Sequence, residues 1–427
     1  MLRGRLTLCT RISARSVSDV PPLDREKPQQ DYRNLRTSRA VYGCGLSKSG
    51  SLAIPNLVEK RSNPEVVSRP LRISYCNGKK IKKVASGFGF SLFASSNELF
   101  GSGLNNFYQL GGPINDQKAD RSESYYIGGK KIMLPSDAGK IVDIAAGRLH
   151  SLVATTNKVY AFGSNTHGQC GQDPAVHSFV THDAGHTKLP EVALPDGAVP
   201  KKVHCSLDSS FVLLEDGRVF SFGLGADGQL GNGSVEKQFV PKQVAGDVEK
   251  EKIVEIGGSG DTLLAASANG ELFAWGLSEY GQFKVVTDAI QVDHPRHLPF
   301  QLGKVKTVAA TGSSCIVSNT DGLVYSWGAQ ILGFGPQVTS LPKPMLLDPP
   351  LFGTATNDDS TIQRVYSSCF SLGAQTVKGN FYVWGINRFG SLGLGHAEDQ
   401  FFPFQVFVPG SVKSVSLGPD HSLYLLH

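Results

Sequence analysis

The chain has 427 residues, of which 40% are hydrophobic and only 19% charged, and its formal net charge is +5. This balance excludes a disordered acidic or basic chain, which would carry more charge and fewer aromatic residues. No apolar run approaches the roughly 18 residues of a membrane-spanning helix, and the 48 glycines and 23 phenylalanines favour β structure with many tight turns. The seven cysteines form no C-x-x-C pair and are odd in number, so we expect free thiols in a reducing compartment.

Residues 1–20 are predicted to be a mitochondrial transit peptide. Residues 1–16 carry four arginines and no acidic residue, and their apolar residues share one broad side of a helix. The alternative is a disordered basic tail. Removal of residues 1–16 lowers the net charge from +5 to +1, so most of the basic character belongs to this segment. Residues 21–40 are predicted to be a disordered polar linker, and the expected location is the matrix or the inner membrane.

Residues 41–427 contain seven copies of one unit. An aromatic-x-(aromatic or small)-Gly motif recurs, and its closing glycines are 52 to 60 residues apart. Those glycines are Gly45, Gly103, Gly163, Gly223, Gly276, Gly328 and Gly385. Alternating apolar residues upstream of each motif predict paired strands, and D-G or N-G turns link them as hairpins. One such unit cannot bury both of its faces, so the copies must stack, and seven copies around an axis form a propeller.

The two ends of the repeat region supply complementary parts of one unit. Segment 412–427 begins a unit but lacks the aromatic-Gly strand, and segment 41–55 provides that strand without the preceding ones. We therefore predict an all-β, seven-bladed β-propeller over 41–427 that is closed by pairing of the N- and C-terminal segments in one blade. A linear solenoid would instead require polar capping repeats at both ends.

Two segments carry a family resemblance. VDIAAGRLHSL (142–152) and GSNTHGQCG (163–171) resemble repeats of the regulator of chromosome condensation family. That family forms seven-bladed propellers, and its best-known member is a guanine nucleotide exchange factor for a nuclear GTPase. The resemblance and the leader together imply exchange activity on an organelle GTPase, with the inner-membrane dynamin-like fusion GTPase as the candidate partner. No cofactor is expected in this chain, because GDP, GTP and Mg²⁺ would belong to the GTPase.

The resemblance also implies an exchange face. The family's exchange-sensitive positions follow the first strand of a unit in the pattern G-x-D-H-S, which Asp420 and His421 match directly. His150 retains the histidine of this pattern, whereas Asp208 and Asp261 retain the acid. The alternative is that these side chains bridge neighbouring blades by hydrogen bonds. The sequence contains no G-x-S-x-G, H-E-x-x-H or phosphate-binding-loop motif, so no catalytic chemistry of its own is predicted.

Two insertions interrupt the regular spacing and are predicted to be partner-binding loops, because long loops in compact domains are often functional. Either one is a candidate wedge that enters the GTPase. They are residues 113–139, with Tyr125, Tyr126, Lys130 and Lys131, and residues 172–199, with His177, His182 and His186. The three histidines predict no metal site, since their spacing in a loop without cysteine is typical of a solvated segment.

A second hypothesis makes the chain a non-catalytic binding or assembly factor for the mitochondrial ribosome large subunit or its rRNA. Basic clusters at 79–83 and 201–202, with Arg69 and Arg72, would contact phosphates, and the paired tyrosines would stack on bases. The alternative explanation for such clusters is a dispersed solvated surface. A general interaction hub is a third hypothesis that rests on the fold alone. Without a transmembrane segment, any membrane association would be peripheral.

Overall fold

The computed structural model describes residues 39–59, 65–112, 125–181, 189–353 and 360–427. The predicted transit peptide and residues 21–38 of the predicted linker lie outside these ranges, so neither prediction is tested. Within the described residues, 28 strands form seven four-stranded antiparallel sheets. The predicted all-β, seven-bladed propeller is therefore confirmed.

Each blade is one sheet, numbered here along the chain. Blade 1 contains β3 (Lys83–Ser86), β4 (Phe90–Ala94), β5 (Leu99–Leu104) and β6 (Tyr125–Ile132). Blade 2 contains β7 (Ile141–Ala146), β8 (His150–Thr155), β9 (Val159–Ser164) and β10 (Phe179–Val180). Blade 3 contains β11 (Pro200–Ser206), β12 (Ser209–Leu214), β13 (Val219–Gly223) and β14 (Gln238–Gln243). Blade 4 contains β15 (Ile253–Gly257), β16 (Thr262–Ser267), β17 (Leu272–Leu277) and β18 (Gln291–His297).

The remaining blades follow the same order from the innermost to the outermost strand. Blade 5 contains β19 (Val305–Ala310), β20 (Ser314–Asn319), β21 (Val324–Ala329) and β22 (Ser340–Leu346). Blade 6 contains β23 (Ile362–Ser367), β24 (Ser371–Thr376), β25 (Phe381–Gly385) and β26 (Gln400–Val406). Blade 7 contains β27 (Val412–Leu417), β28 (His421–Leu426), β1 (Val41–Leu46) and β2 (Val66–Arg72).

Blade 7 joins the two ends of the repeat region. Its strand order is β2-β1-β28-β27, and β1 pairs with β28 from Val41 opposite Leu425 to Gly45 opposite His421. The amide of Leu426 also donates to the carbonyl of Ala40, at 2.8 Å. Two strands from each end therefore complete the sheet, and this pairing protects edges that an open ring would expose.

The recurring aromatic-Gly motif closes the third strand of each blade. Gly276 has φ +89°, and a Cβ atom there would collide with the carbonyl oxygen of Asp261. That carbonyl accepts a hydrogen bond from the amide of Leu277 at 2.8 Å, so strand and loop approach without room for a side chain. The aromatic residue before this glycine, Trp275, is buried between two blades. Its indole N–H donates to the carbonyl of Gln229 in the neighbouring blade at 2.8 Å. The motif is thus explained by backbone approach and packing.

The described residues contain little helix. The single α-helix is α1 (Pro55–Glu59), and short 3-10 turns lie at Ser74–Cys76, Gly246–Val248 and Pro349–Phe352. No helix among the described residues is long and apolar enough to span a bilayer. The six cysteines in the described part of the chain are all free thiols, as predicted.

The innermost strands of all seven blades surround an axial cavity of about 230 Å³. A cross-channel brace closes part of it: Glu255 on β15 forms ion pairs with Lys202 on β11 and with Arg364 on β23, the latter at 2.9 Å. Burial opposes ionisation of Glu255, but the charges of Lys202 and Arg364 hold the pKa of its carboxyl below the usual range. The brace links three blades and fixes the walls of the channel.

Candidate functional site

Seven short loops surround the channel at one end of the propeller, which we call the inner-loop face. Each loop joins the first and second strands of a blade, and the antiparallel order brings the loops between third and fourth strands to the same end. The seven loops are residues 87–89, 147–149, 207–208, 258–261, 311–313, 368–370 and 418–420. All five predicted exchange residues lie in these loops or directly follow them.

His421 connects blade 7 to blade 1. Its imidazole is buried, with Nε2 2.8 Å from the Ser91 hydroxyl and Nδ1 2.7 Å from a carboxylate oxygen of Asp420. In the tautomer that carries its hydrogen on Nδ1, the ring donates to Asp420 and Nε2 accepts from the Ser91 hydroxyl. Although this order of groups resembles that of a serine hydrolase, Ser91 is fully buried and its hydroxyl is inaccessible to a substrate. The geometry is that of a blade-to-blade bridge.

His150 makes the equivalent bridge from blade 2 to blade 3. Its Nε2 lies 2.9 Å from the Ser210 hydroxyl, which donates its own hydrogen to the carbonyl of Gln169 at 2.7 Å. Nε2–H must therefore be the donor to Ser210. Leu149 occupies the position in blade 2 that Asp420 occupies in blade 7. Nδ1 of His150 therefore has no hydrogen-bond partner among the described residues. Burial lowers the pKa of His150 to about 3, so the ring is neutral at physiological pH.

Two of the predicted carboxylates lie in inner loops of neighbouring blades: Asp208 is buried, and Asp261 is partly exposed. Asp208 lies 3.4 Å from Nε of Arg148, and Asp261 accepts a hydrogen bond from the side-chain amide of Gln229 at 3.2 Å. Burial raises the pKa of Asp261 to about 6, and the negative charge of Asp227 adds to the shift. Ionisation of Asp261 therefore lowers the stability of the fold. Carboxyl groups with a pKa shifted by burial and by a neighbouring charge are common at functional sites.

The charges from several blades converge around Cys369. Burial raises the pKa of the Cys369 thiol to about 12; the charge of Arg148 opposes that shift, and Asp261 and Asp420 add to it. These four residues belong to blades 2, 4, 6 and 7, so the ring brings together groups that are far apart in the sequence. We call this group of residues the carboxylate cluster. It consists of four aspartates and the arginine among them: Asp208, Asp227, Asp261, Asp420 and Arg148.

A neighbouring loop was missed by sequence reasoning. Residues 278–290, between β17 and β18, expose Tyr280 and Ile290, whose accessible fractions are 43% and 59%. The base of the loop is fixed, because Phe283 is buried and Gln282 accepts from the amide of Tyr280 at 3.0 Å and donates to the carbonyl of Gly312 at 3.2 Å. The loop lines a groove of about 410 Å³ against blade 5. The sequence signal was weak: scattered apolar residues, Phe283, Val285 and Val286 among them, lie in an otherwise polar loop.

The prediction of a loop at 113–139 is wrong for residues 125–132, which form a strand, and the predicted role of this segment in partner binding stays a prediction. Tyr125, Tyr126, Lys130 and Lys131 lie in β6, the outermost strand of blade 1, where each is paired with β5. Lys130 donates to the Tyr126 hydroxyl at 2.8 Å, and Lys131 pairs with Glu98 at 2.7 Å. Pairing with β5 along one edge holds this segment in the sheet, so it is not a protruding loop. Residues 113–124 lie outside the described residues.

The second insertion is only partly described. His177 is exposed in the turn before β10, and its carbonyl accepts from the side-chain amide of Asn165 at 2.7 Å. His182 and His186 lie outside the described residues, so their predicted role in a partner loop stays a prediction. Within the described ranges, no group of three or more His, Cys, Asp or Glu side chains has the arrangement of a metal site.

Comparison with known proteins identifies the repeat. Residues 216–266 and 378–425 match the regulator of chromosome condensation (RCC1) repeat, and a second version of that repeat matches 141–169. The RCC1-like G exchanging factor-like proteins of Mus musculus and Homo sapiens are 36% and 35% identical to the chain. The alignments cover 96% and 99% of this chain and 93% and 94% of those proteins. The chain belongs to the RCC1 repeat family.

Solved structures agree with this family membership. The crystal structure of human WBSCR16 matches with a TM-score of 0.81 and 33% identity, covering 91% of this chain and 99% of that chain. Prp20p from Saccharomyces cerevisiae matches with a TM-score of 0.72 over 94% of each chain at 20% identity, which is a likeness of fold alone. The family resemblance inferred from segments 142–152 and 163–171 is confirmed.

Proposed function

We propose that the chain is a mitochondrial guanine nucleotide exchange factor that engages an organelle GTPase through its inner-loop face. Two facts support the proposal: relatives that align over nearly the whole chain are named as G exchanging factor-like proteins, and the carboxylate cluster lies on that face. The observation that carries it is Asp261, whose burial beside Asp227 makes ionisation costly although part of its side chain meets solvent.

Exchange requires no covalent chemistry from this chain. An exchange factor binds its GTPase most tightly in the nucleotide-free state, so docking and nucleotide binding oppose each other by linkage. The nucleotide is held by a phosphate-binding loop with its lysine and by Mg²⁺. Carboxylates presented at that loop would compete for the same positive charges, and the exposed Tyr280 of loop 278–290 would occupy space beside them. His150 and His421 link neighbouring blades at this face through their hydrogen bonds with Ser210 and Ser91.

The inner-membrane dynamin-like fusion GTPase remains the candidate partner. This choice rests on the predicted transit peptide at 1–20 and on the family resemblance. The direct experiment mixes purified chain with that GTPase loaded with fluorescent GDP and follows release after excess unlabelled GTP is added. Accelerated release at micromolar protein is the expected result. Unchanged release would refute exchange on this GTPase, and acceleration of another mitochondrial GTPase would leave the exchange activity but replace the partner.

Asp420→Ala and Asp261→Asn separate docking from folding. Asp420 accepts from His421 at 2.7 Å, so its loss should lower thermal stability as well as any exchange rate. The link from Asp261 to the neighbouring blade is a longer hydrogen bond, 3.2 Å from the side-chain amide of Gln229. Loss of the Asp261 carboxylate should therefore reduce exchange without lowering stability. Equal loss of stability in both variants would assign both carboxylates to blade bridging.

The ribosome or rRNA hypothesis has no comparable observation behind it. Several lysines of the clusters that motivated it have intramolecular partners: Lys79 donates to the carbonyl of Tyr75 at 2.6 Å, Lys83 pairs with Asp143 at 2.9 Å, and Lys202 pairs with Glu255. The hypothesis stays a prediction. Crosslinking of the chain to RNA inside mitochondria, with salt-sensitive affinity, would support it.

A further inference from the structure

Six of the loops between third and fourth strands contain the same tight turn. In each, one residue has positive φ, its amide donates to the carbonyl group three residues earlier at 2.9–3.0 Å, and a buried glutamine or serine follows it. We call these six positions the turn residues. They are Gly50, Tyr108, Gly168, Gly228, Gly281 and Gly390. The shared geometry makes them equivalent positions in six blades.

Five turn residues lie against the outermost strand of the next blade. A Cβ atom at Gly168 would be 2.6 Å from the Cβ atom of Phe239 in β14. The ring centroids of Tyr108 and of Phe179 in β10 are 5.8 Å apart. A Cβ atom at each of the other three would lie 2.8–2.9 Å from an atom of β6, β18 or β2. At these five blade boundaries an extended strand therefore covers the turn.

The boundary between blades 4 and 5 is different. Apart from its neighbours in the chain, a Cβ atom at Gly281 would have within 4 Å, among the described residues, only two side-chain atoms of Lys284 in its own loop, both at 3.9 Å. Ser340 and Pro342 of β22 instead line the groove of about 410 Å³ that separates this strand from loop 278–290. The turn that other blades cover is left open here.

The register of β22 identifies the side chain that this boundary lacks. Gln238 of β14 and Leu341 of β22 each pair with the closing glycine of the preceding strand, so Phe239 and Pro342 occupy equivalent positions. Phe239 packs on the turn of blade 2, whereas no atom of Pro342 comes within 4 Å of a Cβ atom at Gly281. The groove therefore has the place of an aromatic side chain without the side chain.

The walls of the groove are fixed. The amide of Ser278 donates to the carbonyl of Ile290 at 2.6 Å, which closes the base of the loop. The hydroxyl of Ser278 accepts from the amide of Phe283 at 3.0 Å, and Phe283 is buried. The volume of the groove lies in the range of ligand-binding pockets, roughly 300–1,000 Å³. Because the walls are held in place, little conformational entropy is lost when the groove is filled.

The side chains around the groove indicate the chemistry of its ligand. Tyr280 and Ile290 are exposed and offer apolar surface. Glu279 and Asp288 are exposed carboxylates, whereas Lys284 is the one cation among the described residues that line the groove. The lining therefore carries one excess negative charge, which favours a basic segment. An aromatic side chain flanked by basic residues fits both features.

We propose that the groove binds an extended segment of a partner protein whose aromatic side chain packs between Gly281 and Pro342, with basic residues on either side of it. This side chain would take the place that Phe239 has at the boundary between blades 2 and 3. The groove lies at the same end of the propeller as the carboxylate cluster, but its ligand does not depend on the exchange proposal.

The test is fluorescence anisotropy of the full chain with the dye-labelled peptide GGKFKGG and with the matched peptide GGKSKGG. Burial of the phenylalanine side chain should make the first peptide bind at least about tenfold more tightly. Pro342→Phe gives β22 the residue that β14 has at the equivalent position, so it should weaken binding of GGKFKGG about tenfold, to the level of the serine peptide. The matched control, Met345→Phe, adds a ring to an exposed position of the same strand outside the groove and should leave the affinity unchanged. Thermal melting shows that both variants are folded.

Three outcomes contradict the proposal. The first is equal affinity of the chain for the two peptides, and the second is equal binding of GGKFKGG by the wild type and Pro342→Phe. The third is a wild-type dimer in analytical ultracentrifugation that Pro342→Phe, but not Met345→Phe, converts to a monomer, which would assign the groove to a second copy of the chain. Nucleotide exchange takes no part in these measurements, so failure of this proposal and failure of the exchange proposal are distinguishable.

Discussion

Asp261→Asn should stabilise the protein and weaken exchange at the same time. In the folded chain, burial and then Asp227 raise the pKa of Asp261 from 3.8 to about 6. The folded state therefore holds this proton more tightly than the unfolded state, so stability is lost as the pH rises from 3.8 to about 6 and the full penalty is present above that pH. A pKa difference of one between the folded and unfolded states corresponds to about 1.4 kcal/mol. The raised pKa of Asp261 therefore costs the folded state at most about 3 kcal/mol of unfolding free energy at neutral pH.

The partial exposure of Asp261 reduces this bound to about 2 kcal/mol. With an unfolding entropy of roughly 2 cal/mol/K per residue, the melting temperature of the propeller should rise by roughly 2–3 °C. The gain belongs to neutral and alkaline pH, and it should shrink as the pH falls from 6 towards 4, where the wild-type carboxyl takes up its proton. Differential scanning fluorimetry at stepped pH measures the change, and GDP release measures the loss of exchange.

Asp216→Asn is the matched control for this experiment. Burial acts against ionisation of Asp216, but the hydrogen bonds and charge of Arg218 hold the pKa of its carboxyl below the usual range. Its replacement should therefore lower stability slightly at neutral pH and leave GDP release unchanged. A lower melting temperature for Asp261→Asn, or a gain that does not vary with pH, would refute the reasoning and make Asp261 a structural acceptor.

Three further predictions concern the stability of the propeller fold. Burial lowers the pKa of His150 from 6.5 to about 3, so stability should fall as the pH drops below about 6.5, and His150→Gln should reduce that slope by up to about 1.4 kcal/mol per unit in denaturant titrations. Deletion of residues 41–50 removes β1 from blade 7 and should abolish the cooperative melting transition; an unaltered transition would contradict closure. Gly276→Ala places a Cβ atom against the carbonyl of Asp261 and should cost roughly 2–4 kcal/mol by chemical denaturation, whereas a cost under about 1 kcal/mol would show that the loop can shift.

The propeller could be predicted from the sequence because its signal is local and repeated. Each closing glycine marks a place where strand and loop approach too closely for a side chain, as at Gly276, and this requirement recurs in every blade. Strand β6 was missed for an equally local reason. Its sequence YYIGGKKI contains two glycines and two lysines, which are typical of a loop, and only pairing with β5 makes it a strand.

The candidate site could be predicted only as a set of separate positions. Asp208, Asp261 and Asp420 were predicted because the family resemblance places exchange-sensitive residues in the loop after the first strand of a repeat. The approach of Asp208 and Asp261 to Arg148 depends on the packing of separate blades, for which no single segment carries a signal.

Hydrogen–deuterium exchange of the chain with its GTPase tests the inner-loop face most directly. The loops at 147–149, 207–208, 258–261 and 418–420, together with 278–290, should gain protection when the GTPase is nucleotide-free and lose it when GDP is added. Protection confined to the opposite end of the propeller, where the hairpin turns between second and third strands lie, or protection that does not depend on nucleotide, would contradict the account.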